Sequence, residues 1–383
     1  MRGSPVGSTP AGLHTNLHSE GGALRGEHRG RAGNPVIKVR DIAWLRFEKP
    51  DLVRAEAFAN AFGLTTVKRT TDELHLRGTN AGPVCLIVRK GPRSKFGGLA
   101  FAAHEDTDLV RLAAAHDTRI QALPEEIGGM VVRLRDPNGV PVEIVSGTDD
   151  LPALPAQQPR PIYVGHEVTR SMTVQRPPRE PAAVQRLGHM VLQTAAFRRS
   201  LDWYLQNFGM LVSDFQYFEK QRSRGPVLAF IRCDNGATVS DHHSLVLTLG
   251  AEPRYVHSAY QVCDIDALAA GGEFLKAAGF IRSWGIGRHI QGSQIFDYWR
   301  DPDGFLVEHF IDSDMFDQSV APGWSPLTAS GLRQWGPPPT NDFLGTDLAA
   351  IRHEARAVFG ALRDRDNEFD VRRLAGLLRV ART

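Results

Sequence analysis

Apolar positions along the chain fall into two blocks that share one rhythm. In the second block, Phe197 to Phe208 places Leu201, Tyr204, Leu205 and Phe208 at i, i+3, i+4 and i+7, the spacing of one buried helix face. A helix-like stretch, Leu52 to Phe62, stands at the corresponding place in the first block. Farther along, a strand over Tyr255 to Val262 leads into a helix over Asp264 to Ala278, as Leu99 to Ala103 leads into Asp106 to His116. Each block closes on two extended stretches around a tight turn, Arg135-Asp136-Pro137-Asn138-Gly139 in one and Arg300-Asp301-Pro302-Asp303-Gly304 in the other. Proline pre-sets one turn dihedral and glycine accepts positive φ, so each closing unit is predicted to be a hairpin. Three residues past each turn glycine the chain reads Val142-Glu143 or Val307-Glu308, and strand alternation puts the two members of each pair on opposite faces.

The order is β-α-β-β-β with a further helix inserted between strands, and it occurs twice. Helices inside a strand-rich repeat argue for an α+β fold of two tandem modules of paired βαβββ units, not a doubly wound sheet. The modules are placed at 36–147 and 184–315. Residues 148–183 hold seven prolines and little periodicity and read as a linker. Residues 1–34, rich in Gly, Arg, Ser and His, read as a disordered tail without the apolar core of a secretory signal. Residues 316–383 form a C-terminal extension with a charged helix.

Composition narrows the class. The formal charge of +2 leaves no footprint for nucleic acid or an anionic membrane. No apolar run approaches the ~20 residues of a spanning helix. Cys85, Cys233 and Cys263 are an odd, sparse set without CxxC spacing, which suits a reducing cytoplasm.

The chemistry lies in how the two copies differ. Superposing the openings sets His189 on Trp44, and superposing the middles sets His257 on Gly98, whereas Glu308 and Glu143 match. Only the second module therefore offers two imidazoles and a carboxylate, one on each of three predicted strands. That is the facial triad of non-haem Fe(II) enzymes, with open positions opposite for a bidentate substrate and O2. Glu143, in an equivalent hairpin without imidazole partners, reads as structural.

The runs LGHMVLQT, DHHSLVL, PRYVHSAYQV and GRHIQGSQIFDYWRDPDGFLVEHF resemble the type I extradiol ring-cleavage dioxygenases of the vicinal oxygen chelate superfamily. The likeness spans about 36–315 and includes that family's metal-free N-terminal module. It implies oxidative opening of a catechol-type diol, with His189, His257 and Glu308 as ligands of Fe(II), or of Mn(II) in its place. It implies that His243, rather than its neighbour His242, is the acid–base histidine. His289 and Tyr298 fall on residues that contact the substrate hydroxyl and the oxygen species. A small catechol and O2 are the expected partners, and a cytoplasmic homo-oligomer the expected form. Trp284, Ile295 and Phe296 flank these motifs, and they read either as apolar walls for a substituted catechol or as module core. Three other readings stay open: a glyoxalase-like enzyme, a hydroxyphenylpyruvate dioxygenase-like enzyme, and a ligand-binding protein similar to bleomycin-resistance proteins. The first of these needs ligands where Trp44 and Gly98 stand.

Overall fold

The computed structural model describes residues 22–345, 356–363 and 367–380. The first module is an eight-stranded sheet: β1 (Val39–Lys49), β2 (Thr65–Arg69), β3 (Glu73–Arg77), β4 (Leu86–Lys90), β5 (Lys95–Ala103), β6 (Ile120–Ala122), β7 (Met130–Arg135) and β8 (Pro141–Ser146). Their order across the sheet is β2-β3-β4-β1-β5-β8-β7-β6. The second is built from β9 (Arg186–Thr194), β10 (Leu211–Phe218), β11 (Leu228–Arg232), β13 (Leu245–Leu249), β14 (Arg254–Gln261), β15 (Ile281–Arg288), β16 (Ile295–Arg300), β17 (Leu306–Ile311) and β19 (Gly323–Leu327). Here β12 (Ser240–Asp241) and β18 (Met315–Phe316) form a separate two-stranded pair. Read from β10, the second sheet runs β10-β11-β13-β9-β14-β17-β16-β15, the order of the first sheet strand for strand. The tandem α+β duplication expected from the sequence is the architecture of the chain.

The helices lie where the apolar spacing puts them: α1 (Leu52–Ala61), α2 (Asp106–Ala115), α3 (Phe197–Phe208) and α4 (Ile265–Ala277). Asp264 begins α4 as its cap, accepting from the Ala267 amide at 2.8 Å, which satisfies one of the free donors at the helix start. Gly209 ends α3 at φ +62°, where a Cβ would sit 2.7 Å from the Ile37 carbonyl. The buried face of α3 comprises Phe197, Leu201, Tyr204, Leu205 and Phe208, with Ser200 and Asn207 also buried.

The two closing turns clasp the opposite modules. Asp136 accepts from the amides of Asn138 and Val140, and Asn138 reaches across to Ser200 (2.7 Å) and Thr194 (2.8 Å). Asp301 accepts from the amides of Asp303 and Phe305 in the same way, and it pairs with buried Lys49 of the first module. Asp303 adds bonds to Lys49 (3.0 Å) and Arg54 (2.7 Å). Phe47 packs edge-on against Phe305 and Tyr255, and His309 stacks on Phe62. The prolines of the turns fix their shape, and the aspartates and their neighbours carry the contacts.

Several segments differ from the sequence reading. Residues 1–21 of the expected tail lie outside the described residues, but the rest of it is seated on the second module. Glu27 pairs with Arg222, His28 with Asp202, and the Gly30 carbonyl accepts from the Val212 amide. The stretch 148–183 is not a free linker: Leu151 bridges to Gly82, Arg160 to Asp264, and fully buried Ala182 packs beneath Gly63 and Gly271. The C-terminal extension does more than form a helix, because β19 pairs in parallel with β10 and widens the second sheet. Beyond it, Val371–Val380 is helical, while 346–355, 364–366 and 381–383 lie outside the described residues. No helix among the described residues is long and apolar enough to cross a membrane.

Candidate metal centre

Three adjacent strands carry the expected ligands. His189 is on β9, His257 near the start of β14 and Glu308 on β17, and register sets Ala259 opposite both His189 and Glu308. The ligating atoms of the three lie within 4.8 Å of one another. Glu308 Oε2 is 3.3 Å from both His189 Nε2 and His257 Nε2. All three residues are buried, Glu308 completely. Burial alone would raise the Glu308 carboxyl, but the two imidazoles hold it well below the usual carboxylate range. His257 is pushed down by burial, which keeps its lone pair available.

The donor set fits a cation. Neither Glu308 oxygen, neither His257 nitrogen and not His189 Nδ1 has a hydrogen-bond partner, although buried polar atoms are almost always paired. The Glu308 carboxylate and the Nε2 atoms of His189 and His257 converge at one buried point, and a divalent metal ion with two imidazoles and a carboxylate explains why the Glu308 oxygens and His257 Nε2 lack partners.

The other expected residues surround this point. The His243 ring lies 4.1 Å from that of His189, centroid to centroid, and burial depresses its basicity, with His189 and His242 adding to the effect. His289 is oriented from behind, because its Nδ1 lies 2.7 Å from the Leu332 carbonyl and must donate to it. Its Nε2 therefore accepts in the neutral ring, and the Tyr298 hydroxyl, 2.9 Å away, donates to it. Tyr298 is held well above the usual phenol range by burial and by the Glu308 charge, so it stays protonated.

Trp284, Phe296 and Ile295 do not line the metal point as apolar walls. Trp284 and Phe296 form a small cluster behind Tyr298 and His289, with the Trp284 indole donating to the Pro337 carbonyl at 2.9 Å. Ile295 belongs to the main core on the other face of β16. The apolar surface beside the reacting groups is Phe230, half-buried and edge-on to His243 at 5.2 Å. Sequence reasoning missed Phe230, whose alternation on β11 was its only signal. It also missed Asp214, which lies 2.7 Å from His242 Nε2.

The first module shows what the same position becomes without ligands. Glu143 receives the Trp44 indole (3.0 Å) and the Arg46 and Arg133 guanidiniums (2.7 and 3.0 Å). Gly98, at the register of His257, has φ +129°, and a Cβ there would lie 2.5 Å from the Pro141 carbonyl. The cavity of about 300 Å³ in this module is lined by Arg46, Arg89 and Arg133 and by Glu48, Glu73 and Glu143, and each of these carboxylates already pairs with a cationic side chain. Glu73, His75 and Glu126 also cluster here, but the Lys68 ammonium already contacts both carboxylates.

Comparison with known proteins places these features. Residues 186–309 match the model of the glyoxalase/bleomycin resistance protein/dioxygenase superfamily. Metapyrocatechase 2 of Cupriavidus necator is 32% identical over 315 residues, 80% of this chain and 92% of the relative. A variant of homoprotocatechuate 2,3-dioxygenase from Brevibacterium fuscum shares the fold, with TM-score 0.66 and 19% identity over 84% of this chain and 85% of that one. The Mn(II)-bound glyoxalase of Novosphingobium aromaticivorans does so too, with TM-score 0.65 and 21% identity over 80% and 94%.

Proposed function

The chain belongs to the extradiol dioxygenases of the glyoxalase/bleomycin resistance protein/dioxygenase superfamily, and on that premise we propose that it opens a substituted catechol at an Fe(II) held by His189, His257 and Glu308. The single observation carrying this reading is the convergence of three buried ligands, with unpaired donor atoms, beside His243, His289 and Tyr298. The enzyme is an extradiol dioxygenase, adding both atoms of O2 to a catechol ring.

A bound Fe(II) would acidify the hydroxyls of a chelating catechol and couple the electron-rich ring to O2. The residues of the chain supply the rest. His243, neutral near pH 7 in its buried setting, accepts a catechol proton and returns it to the departing oxygen. Tyr298, held on β16 and donating its hydroxyl proton to His289, leaves its oxygen lone pairs to accept from a catechol hydroxyl. Phe230 gives an apolar surface to a ring substituent. Iron is favoured by the two-histidine, one-carboxylate set, which also accepts Mn(II). A glyoxalase-type site with ligands from both modules finds Trp44 and Gly98 where it needs donors.

The test is anaerobic loading with Fe(II) or Mn(II), followed by catechol, 3-methylcatechol and 2,3-dihydroxybiphenyl in air. O2 uptake with a yellow ring-fission product, abolished in His257→Ala, is expected. Tight metal binding without turnover of any catechol would point to another reaction of the superfamily.

A further inference from the structure

His242 sits beside the acid–base histidine and has no part in metal binding. Its ring is caged by Phe230 and Phe316, with centroids 5.4 Å away on either contact. Its backbone is pinned on both sides: its amide donates to the Asp314 carbonyl (2.8 Å), and its carbonyl accepts from the Ser213 hydroxyl (2.6 Å). Its two ring nitrogens each have one neighbour, Asp214 Oδ2 at 2.7 Å from Nε2 and His243 Nδ1 at 3.0 Å from Nδ1. Asp214, His242 and His243 are all buried, so water does not compete for these bonds.

The order of donors along this chain follows from the chemistry of its ends. A carboxylate only accepts, so His242 Nε2 carries a proton and donates it to Asp214. In a neutral His242 the other nitrogen, Nδ1, is then a bare acceptor. It can make the 3.0 Å contact only if His243 Nδ1 carries the hydrogen. His243 is thereby left with its proton on Nδ1 and a lone pair on Nε2, the nitrogen that remains for the substrate side. An isolated imidazole would divide between two tautomers, and one of them cannot take a proton through Nε2.

We propose that Asp214 and His242 are positioning residues that lock His243 in the tautomer whose Nε2 receives the catechol proton. The inference rests on the extradiol reading of the site and adds to it a fixed hydrogen-bond chain reaching from β10 to the reacting groups. Nothing in the chain of bonds touches the metal ligands directly except through His243. The pair therefore acts on the proton-transfer step and not on metal affinity.

The test uses the Fe(II)-loaded full-length protein with 3-methylcatechol. Asp214→Asn and His242→Phe are each made in the native background and in a His243→Ala background. Either change is expected to lower kcat by about 10–100-fold in the native background, the usual cost of removing a partner that orients a site residue. KM for 3-methylcatechol, bound iron and the unfolding midpoint should stay close to native. In the His243→Ala background both changes should have no further effect, because there is no tautomer left to fix. A merely structural role predicts the opposite, an equal loss in both backgrounds. An equal loss, an unchanged kcat in the native background, or loss of iron or of folding in both variants overturns the proposal. Absence of ring fission by the native protein would instead sink the reading of the site, and this inference with it.

Discussion

Glu143 and Glu308 stand at the same register of two copies of one sheet, each opposite an alanine of the neighbouring parallel strand, Ala100 and Ala259. One carboxylate meets two guanidiniums and an indole N–H, and the other meets two imidazoles. Both are buried negative charges that need compensation. The first obtains it from the protein itself, and the second is arranged to obtain it from a cation.

Glu308→Gln removes the only formal negative charge of the triad. Metal analysis after loading should show iron content falling to near background and ring-fission activity falling at least about 1000-fold, while the circular dichroism spectrum is kept. Glu143→Gln should leave iron content and kcat at native levels.

Glu143 carries a stability prediction of its own. Burial raises its carboxyl, but Arg46, Trp44 and Arg133 outweigh burial and hold it below the ordinary glutamate value. A depressed folded pKa contributes stability that is present above the unfolded value and lost as the pH falls through the folded one. At pH 7, Glu143→Gln should therefore cost about 1–2 kcal/mol, since Arg46 and the more exposed Arg133 lose a charged partner while solvent screens part of the loss. In urea titrations the gap between native and variant should close as the pH drops below roughly 4.3. A gap that persists unchanged at pH 3 would rule out the charge explanation.

Tyr298→Phe keeps the ring and deletes the hydroxyl that donates to His289. Steady-state kinetics with 3-methylcatechol should give a kcat about 10–100-fold lower with little change in KM, because the hydroxyl that holds His289 beside the reacting groups is lost. An equal change in KM with kcat intact would make Tyr298 a ground-state binding group.

Lys49→Ala strips the Asp301 turn of its buried ammonium. Leaving Asp301 uncompensated, and Asp303 with Arg54 alone, should cost about 3–5 kcal/mol, read as a clear fall in the thermal unfolding midpoint. Lys49→Met, with Asp301→Asn in the same chain, should recover much of the loss. The site lies on β17, which leaves this turn, so kcat per folded molecule should fall less than stability does.

The sequence was most informative where a residue type has one physical use. The two D-P-x-G turns specified hairpins, and the spacing of α3 specified a helix from Phe197 to Phe208, because periodicity and turn chemistry are local. The triad was legible because strand-borne histidines appeared in one copy only. The role of Trp284 and Phe296 was not, since apolar residues beside a site motif look alike whether they face the ligand or back the strand that carries it. Asp214 was invisible for a different reason: its partner His242 is 28 positions away, and only long-range contacts, such as the Ser213 hydroxyl on the His242 carbonyl, bring them together. The same limit hid β19, whose partner β10 lies far back along the chain and whose own five residues, Gly323–Leu327, include a proline.

Gly98 bears on how such an enzyme can change over generations. Its backbone has settled into a conformation that L side chains rarely adopt, hard against the Pro141 carbonyl. A histidine placed there by a single codon change would collide, and the arginines around Glu143 would still repel an incoming cation. Each of the replacements needed to build a metal site in the first module is harmful or idle without the others, so no single step leads there. The division of labour between the two halves is therefore built into the backbone itself and not into the choice of a few side chains.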